Sequence, residues 1–256
     1  MFGRVTTIAT NTVREAIRNK VLYALVFFAV LLIGVGVLLS TLSYVEQERI
    51  IQDVGLSAIR LFSALIAIFL GVGLIHKEVD RRTIYTIVTK SVARWEFLLG
   101  KYLGLVATVW LQVVVMSVAF VAVSWLTGAE LHPQHFYALM LTAAEVGLLV
   151  AIATFFSAFT TPMLASFFTG GFYVVGHLTR DLRQLGSQSD DESVQMLAGW
   201  LYRVLPDLES FNLTTEALHG LAVTPAEVWL PLVYGALYAS IVLICGMVVF
   251  HFKDFR

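Results

Sequence analysis

The sequence predicts an all-α membrane protein. Six transmembrane helices follow an amphipathic interfacial helix, and short re-entrant or interfacial helices lie on the outer side between the fifth and sixth spans. Three observations lead there. The chain is 58% hydrophobic and 14% charged, with a mean hydropathy of +0.82, whereas soluble domains sit near ~45–50% apolar and ~25% charged. Its apolar residues gather into runs of membrane-crossing length. Its basic residues gather into the segments that alternate runs would leave on one side.

The first element precedes any span. Val5, Ile8, Ala9, Val13, Ala16 and Ile17 recur at helical spacing, with Thr7, Asn11, Arg14 and Arg18 on the opposite face. A helix over residues 3–20 with a basic polar side suits the cytoplasmic interface; a plain cytoplasmic helix packed on the protein is the alternative. Crossing a ~30 Å hydrocarbon core takes roughly 20 apolar residues. Runs 21–42, 54–75, 102–126, 136–159 and 228–250 meet this, and 162–179 is shorter and holds Gly170, Gly171 and Gly176. The first run is too long for a signal-peptide core and has no small-residue cleavage site behind it, so no cleaved leader is expected.

Six spans put both termini on one side, and charge selects it. The N-terminus, the 76–101 loop and the C-terminus together carry twelve of the seventeen Lys and Arg. The positive-inside rule therefore places both termini in the cytoplasm. The outer segment 181–227 has its own pattern. Val194, Leu197, Ala198, Leu201, Tyr202 and Leu205 recur at helical spacing, and Pro206 stops that helix. A second short helix is expected within 207–220.

Several chemistries are absent. The single cysteine, Cys245, allows no internal disulfide. No GxxxxGK[ST] phosphate loop and no HExxH occurs. His132 and His135 flank Pro133 and are read as solvated loop histidines rather than metal ligands, so no metal site is expected. Nothing in the pattern points to nucleic acid.

Two ionisable residues lie inside apolar runs, where charge is expensive and often functional. Arg60 is near the outer end of the second run, and its stem can snorkel to the interface. Glu145 lies deep in the fourth. It can pair with Arg60, line a polar cavity, or sit protonated against a neighbour, and both residues are candidates for a transport pathway. Gln112 and Ser117 are expected to hydrogen-bond between helices. Gly100 and Gly104 form a small-xxx-small packing pair, and Gly34, Gly36, Gly71 and Gly73 are read as packing glycines.

The loop 76–101, HKEVDRRTIYTIVTKSVARWEFLLGK, holds six of the seventeen Lys and Arg. Val79, Ile84, Ile87 and Val88 form the apolar side of a short amphipathic helix with charges around it. Such a helix inserts into a groove while charged rim residues set the register. A loop that only fixes topology and touches anionic headgroups is the alternative.

The order of these features resembles the membrane-spanning permease subunit of type-two ATP-binding-cassette transporters over nearly the whole chain. In the loop, Glu78, Thr83, Val92, Arg94, Glu96, Leu99, Gly100 and Lys101 fit the family pattern. Arg82 stands where that pattern has Gly, and Ser91 where it has Pro. A second match is LPDLESFN at 205–212, followed by an apolar span and the FHFKDFR terminus.

The resemblance implies a single permease domain whose first helix is an elbow. It implies a bacterial inner-membrane exporter that pairs with a second permease copy or paralogue, sits among membrane lipids and can take accessory subunits. ATP and Mg are expected on separate ATPase subunits, with no cofactor and no catalysis on this chain. The expected ATPase-coupling contacts are Glu78, Asp80, Arg81, Arg82, Thr83, Tyr85 and Arg94. Other functions compete. A secondary transporter or channel is expected to show internal repeats or more intramembrane charge. A membrane enzyme needs a catalytic cluster. A non-transporting anchor or assembly subunit would use the same spans.

Overall fold

The computed structural model of the chain describes residues 2–41, 46–80, 93–188 and 191–252, and these are helical apart from short connections. The helices are α1 (Phe2–Ile17), α2 (Lys20–Ser40), α3 (Gln47–Asp80), α4 (Arg94–Thr127), α5 (Pro133–Phe159), α6 (Pro162–Ser187), α7 (Glu192–Val204), α8 (Thr214–His219) and α9 (Pro225–Phe252). A 3-10 turn, Leu208–Phe211, lies between α7 and α8.

Local chemistry sets many of the boundaries. Asn19 Oδ1 accepts the Val21 N–H at 3.0 Å and starts α2. The Glu96 carboxylate accepts the Ala93 N–H at 3.1 Å and starts α4. Pro133 occupies the first turn of α5, where its missing N–H costs nothing. Asp191 Oδ1 accepts the Ser193 N–H at 2.9 Å and starts α7, which ends before Pro206 as the sequence indicates.

Among the described residues, five helices are long and apolar enough to cross a membrane: α2, α4, α5, α3 over Gln47–Leu74 and α9 over Pro225–Phe250. The sixth predicted run is not among them. Helix α6 is 26 residues long, but Gly170, Gly171, Gly176 and His177 dilute its apolar half, and Arg180, Asp181 and Arg183 follow. The surface agrees with a lipid setting. Phe27, Leu38, Val118, Trp229, Leu237 and Ile241 are all exposed. In water such a coat is unfavourable by roughly 25 cal/mol per Å²; in hydrocarbon it costs nothing.

Helix α5 is the bundle's axis. It packs against α3, α4, α6 and α9, and against α8 and the 3-10 turn at one end. Its buried side chains run from His135 to Ala158 and surround it on most faces. Helix α1 lies along α4. A Cβ on Gly100 would sit 2.8 Å from the Ile8 side chain, and one on Gly104 would sit 2.6 Å from the Ala9 carbonyl oxygen. The predicted small-residue pair thus packs the amphipathic helix, not another span.

The two ends of the bundle differ. At one end the Arg94 Nη1 donates to the Phe250 carbonyl at 3.3 Å, tying the start of α4 to the end of α9 beside α1. At the other, Gln52 Nε2 donates to the Glu130 carbonyl at 2.7 Å and Gln134 Nε2 to the Leu221 carbonyl at 2.9 Å. The 3-10 turn is pinned at this second end. Leu208 and Phe211 are buried. Leu208 fills the space a Cβ on Gly176 of α6 would need, and Phe211 does the same at Gly235 of α9.

Two sequence expectations are corrected. Ser117 Oγ donates within its own helix, to the Val113 carbonyl at 2.7 Å, and the buried Gln112 amide has no hydrogen-bond partner among the described residues. Neither links two helices. His135 is not a solvated loop residue: it is 1% exposed. Its ring lies 6.1 Å from Phe120, and its Nδ1 lies 3.1 Å from the His132 N–H in the α5 cap. Pro133 starts a helix there, which turns His135 inward.

Candidate functional site

The most polar point inside the bundle is where α3, α5, α6 and the 3-10 turn meet. Arg60 on α3 donates through Nε to Glu145 Oε2 at 3.1 Å. The Glu145 side chain is 1% exposed and that of Arg60 14%. Arg60 therefore does not snorkel outward; its guanidinium turns inward to a buried carboxylate. Its Nη2 also lies 2.6 Å from His177 Nε2 on α6 and 3.8 Å from Glu209 Oε2 in the 3-10 turn. Glu209 Oε1 in turn accepts from Asn212 Nδ2 at 2.7 Å.

The hydrogen bonds fix the histidine tautomer. His177 Nδ1 lies 2.9 Å from the Tyr173 carbonyl, and a carbonyl only accepts, so Nδ1 carries the proton. The neutral ring then uses Nε2 to accept from Arg60. That leaves Glu145 Oε1, 3.2 Å from the same nitrogen, without a donor, and it stands as a buried acceptor with none. One nitrogen thus faces both a guanidinium and a carboxylate and can serve only one of them. An imidazolium would donate to Glu145 and repel Arg60.

This arrangement suits a rearranging site. A buried ion pair is a poor source of stability because desolvation offsets its attraction. Four elements nonetheless converge on it, and two carboxylates and one imidazole nitrogen face one arginine.

The sequence-predicted residues divide into three groups. Arg60 and Glu145 meet, as one of the open alternatives held. Arg94 is half-buried and caps the end of α9. Glu78 and Asp80 lie in the last turn of α3, of which the backbone is described; Arg81, Arg82, Thr83 and Tyr85 fall outside the described residues. Sequence reasoning passed over His177 and Glu209. The signal for His177 was present, a third ionisable group within an apolar run. Glu209 sits in the 205–212 motif, but nothing in its spacing points to Arg60.

Helices α3 and α4 frame the loop between them. Each is 34 residues long, roughly 50 Å at 1.5 Å per residue, so both overrun a ~30 Å hydrocarbon core. Comparison with curated proteins returns no match. A family model described as ABC-2 family transporter protein matches residues 6–255, so the chain belongs to that family and is a membrane subunit of an ABC transporter, of a kind that works with ABC ATPase subunits.

Proposed function

We propose that this subunit belongs to an exporter of a bacterial inner membrane, pairs with a second permease copy or paralogue, and docks on separate ATPase subunits through its 76–101 segment. The observation that carries the reading is the continuity of α3. One helix of 34 residues runs from Gln47 to Asp80, joining Arg60 in the buried cluster to Glu78 and Asp80 beside the loop. In this reading ATP and Mg are held by the partner. Closure of the partner moves the loop, the loop moves α3, and Arg60 exchanges Glu145 for Glu209. Glu78, Asp80, Arg81, Arg82, Thr83, Tyr85 and Arg94 form the docking surface.

The topology follows the same logic. Helix α5 enters from the end holding His132 and leaves at Phe159, and α6 then returns to bring His177 to Arg60 and Gly176 to the 3-10 turn. In this reading helix α6 is the fifth of six crossings and α9 is the sixth. Both termini share the side of the loop, where twelve of the seventeen Lys and Arg gather, and α1 is the elbow. The positive-inside rule makes that side cytoplasmic.

Co-purification tests the docking. The chain is expressed with its genomic neighbours and the bound ATPase is measured. Reversing both charges with Arg81→Glu and Arg82→Glu is expected to remove the ATPase while the helical content is kept. An ATPase that never co-purifies, or one indifferent to the reversal, would sink the coupling role.

A further inference from the structure

We propose that Arg14, Arg18 and Lys20 form a binding site for the phosphate of an anionic phospholipid, at the junction of α1 and α2. These side chains line a cavity of about 930 Å³ together with Asn11 and Glu15, over a floor made by Gly73 and Leu74 of α3. Which leaflet the site serves rests on the orientation proposed above; the site itself does not.

Charge pairing is the first argument. Glu15 is the acidic side chain lining the cavity, and its Oε2 lies 3.7 Å from Lys101 Nζ, a side chain only 3% exposed. Its charge is thus opposed by a buried lysine behind it. No ion pair is found for Arg14, Arg18 or Lys20 among the described residues, and all three are exposed. Among the described residues the cavity therefore carries three positive charges that have no ion-pair partner. Asn19, the other amide at the junction, already caps α2, so the helix N-terminus is not the receptor.

Rigidity is the second. Helix α1 is held against α4 at Gly100 and Gly104, and a single residue pair, Arg18 and Asn19, separates α1 from α2. The backbone that carries the three cations is thus held on a packed frame, leaving only their side chains to order on binding. A preorganised cluster loses little freedom on binding.

The surroundings choose a lipid over a free anion. The cavity floor includes the buried, apolar Leu74. Immediately beyond Lys20 the exposed face of α2 begins with Val21 and Tyr23, 51% and 56% exposed. A headgroup on the cations would run its acyl chains along that face, with Tyr23 at the depth favoured by interfacial aromatics. Each cation near an anionic headgroup is expected to strengthen binding about fivefold, so three give roughly a hundredfold.

The test uses the full chain in nanodiscs of mixed phosphatidylglycerol and phosphatidylcholine, with retained lipid read by native mass spectrometry. Wild type is expected to keep phosphatidylglycerol selectively. The triple variant R14Q/R18Q/K20Q is expected to lose that preference by roughly a hundredfold and each single variant by about fivefold. The R14K/R18K variant is expected to retain it, which separates charge from folding. Equal retention of both lipids, or a triple variant that still prefers phosphatidylglycerol, overturns the proposal. Competition by inorganic phosphate as effective as competition by phosphatidylglycerol overturns the lipid assignment. A triple variant that keeps its lipid preference but loses a bound ATPase hands the surface to that partner instead.

Discussion

Arg60 and Glu145 lie 85 residues apart in the chain and meet at 3.1 Å in the middle of the bundle. This is the relationship on which the rest of the buried cluster depends. Removing Arg60 leaves a nearly fully buried carboxylate with no strong donor, which destabilises by about 3–5 kcal/mol. Arg60→Gln is therefore expected to unfold at clearly lower temperature or detergent concentration. Glu145→Gln is expected to cost less, because a neutral amide is cheaper to bury than a charge. The double variant is expected to be more stable than the two single losses predict, by about 1–2 kcal/mol. Strict additivity would mean that the two side chains do not interact.

The small-residue pair on α4 gives a second prediction. Gly104→Leu drives a side chain into the Ala9 carbonyl and the Thr12 side chain, both 2.6 Å from where its Cβ would begin. The expected cost is about 1–3 kcal/mol, and it falls on the seating of α1. Limited proteolysis within residues 3–17 should accelerate, with the spans intact. Gly34→Ala is the control, since nothing lies within 4 Å of the added carbon. An unchanged cleavage rate for Gly104→Leu would show that α1 is not anchored there.

How much of this was legible in the sequence follows from which physical rule each feature obeys. Hydropathy found the long apolar helices because crossing a bilayer sets both length and composition. The α7 stop at Pro206 was readable because proline lacks the N–H that helix continuation needs. Arg60 and Glu145 stood out as intramembrane charges. Their pairing was one of three open alternatives, because no local rule selects a partner 85 residues away. His177 was readable as a third ionisable group within an apolar run but was passed over, and Glu209 was hidden by its place in a polar loop. Gln112 and Ser117 misled because polarity marks a need for a partner without naming one. Ser117 met that need inside its own helix.

The 3-10 turn supplies a third prediction. Phe211 is 1% exposed, and its ring occupies the space beside Gly235, 2.9 Å from where a Cβ would sit. Phe211→Ala is expected to cost about 3–5 kcal/mol and to raise amide hydrogen exchange across residues 206–213. Leu221→Ala, at a side chain 49% exposed, should stay within about 0.5 kcal/mol. Equal effects of the two would mean that the turn is not anchored by its aromatic plug.

The sharpest prediction separates stability from movement at Glu209. Its side chain is 34% exposed, and it lines a cavity of about 810 Å³ while lying 3.8 Å from Arg60 Nη2. That distance is beyond a hydrogen bond, and solvent screens the pair. Glu209→Gln should therefore change stability by at most about 1 kcal/mol. If Arg60 exchanges Glu145 for Glu209 during transport, the same substitution weakens the second resting place of the arginine. The variant should then keep its unfolding midpoint and its bound ATPase, while substrate-stimulated ATP hydrolysis falls several-fold. Glu145→Gln removes the first resting place, so it should shift stimulation as well and lower the midpoint too. Unchanged stimulation in Glu209→Gln, with the midpoint also unchanged, would make the Arg60–Glu209 approach a static surface contact and would confine the arginine to Glu145.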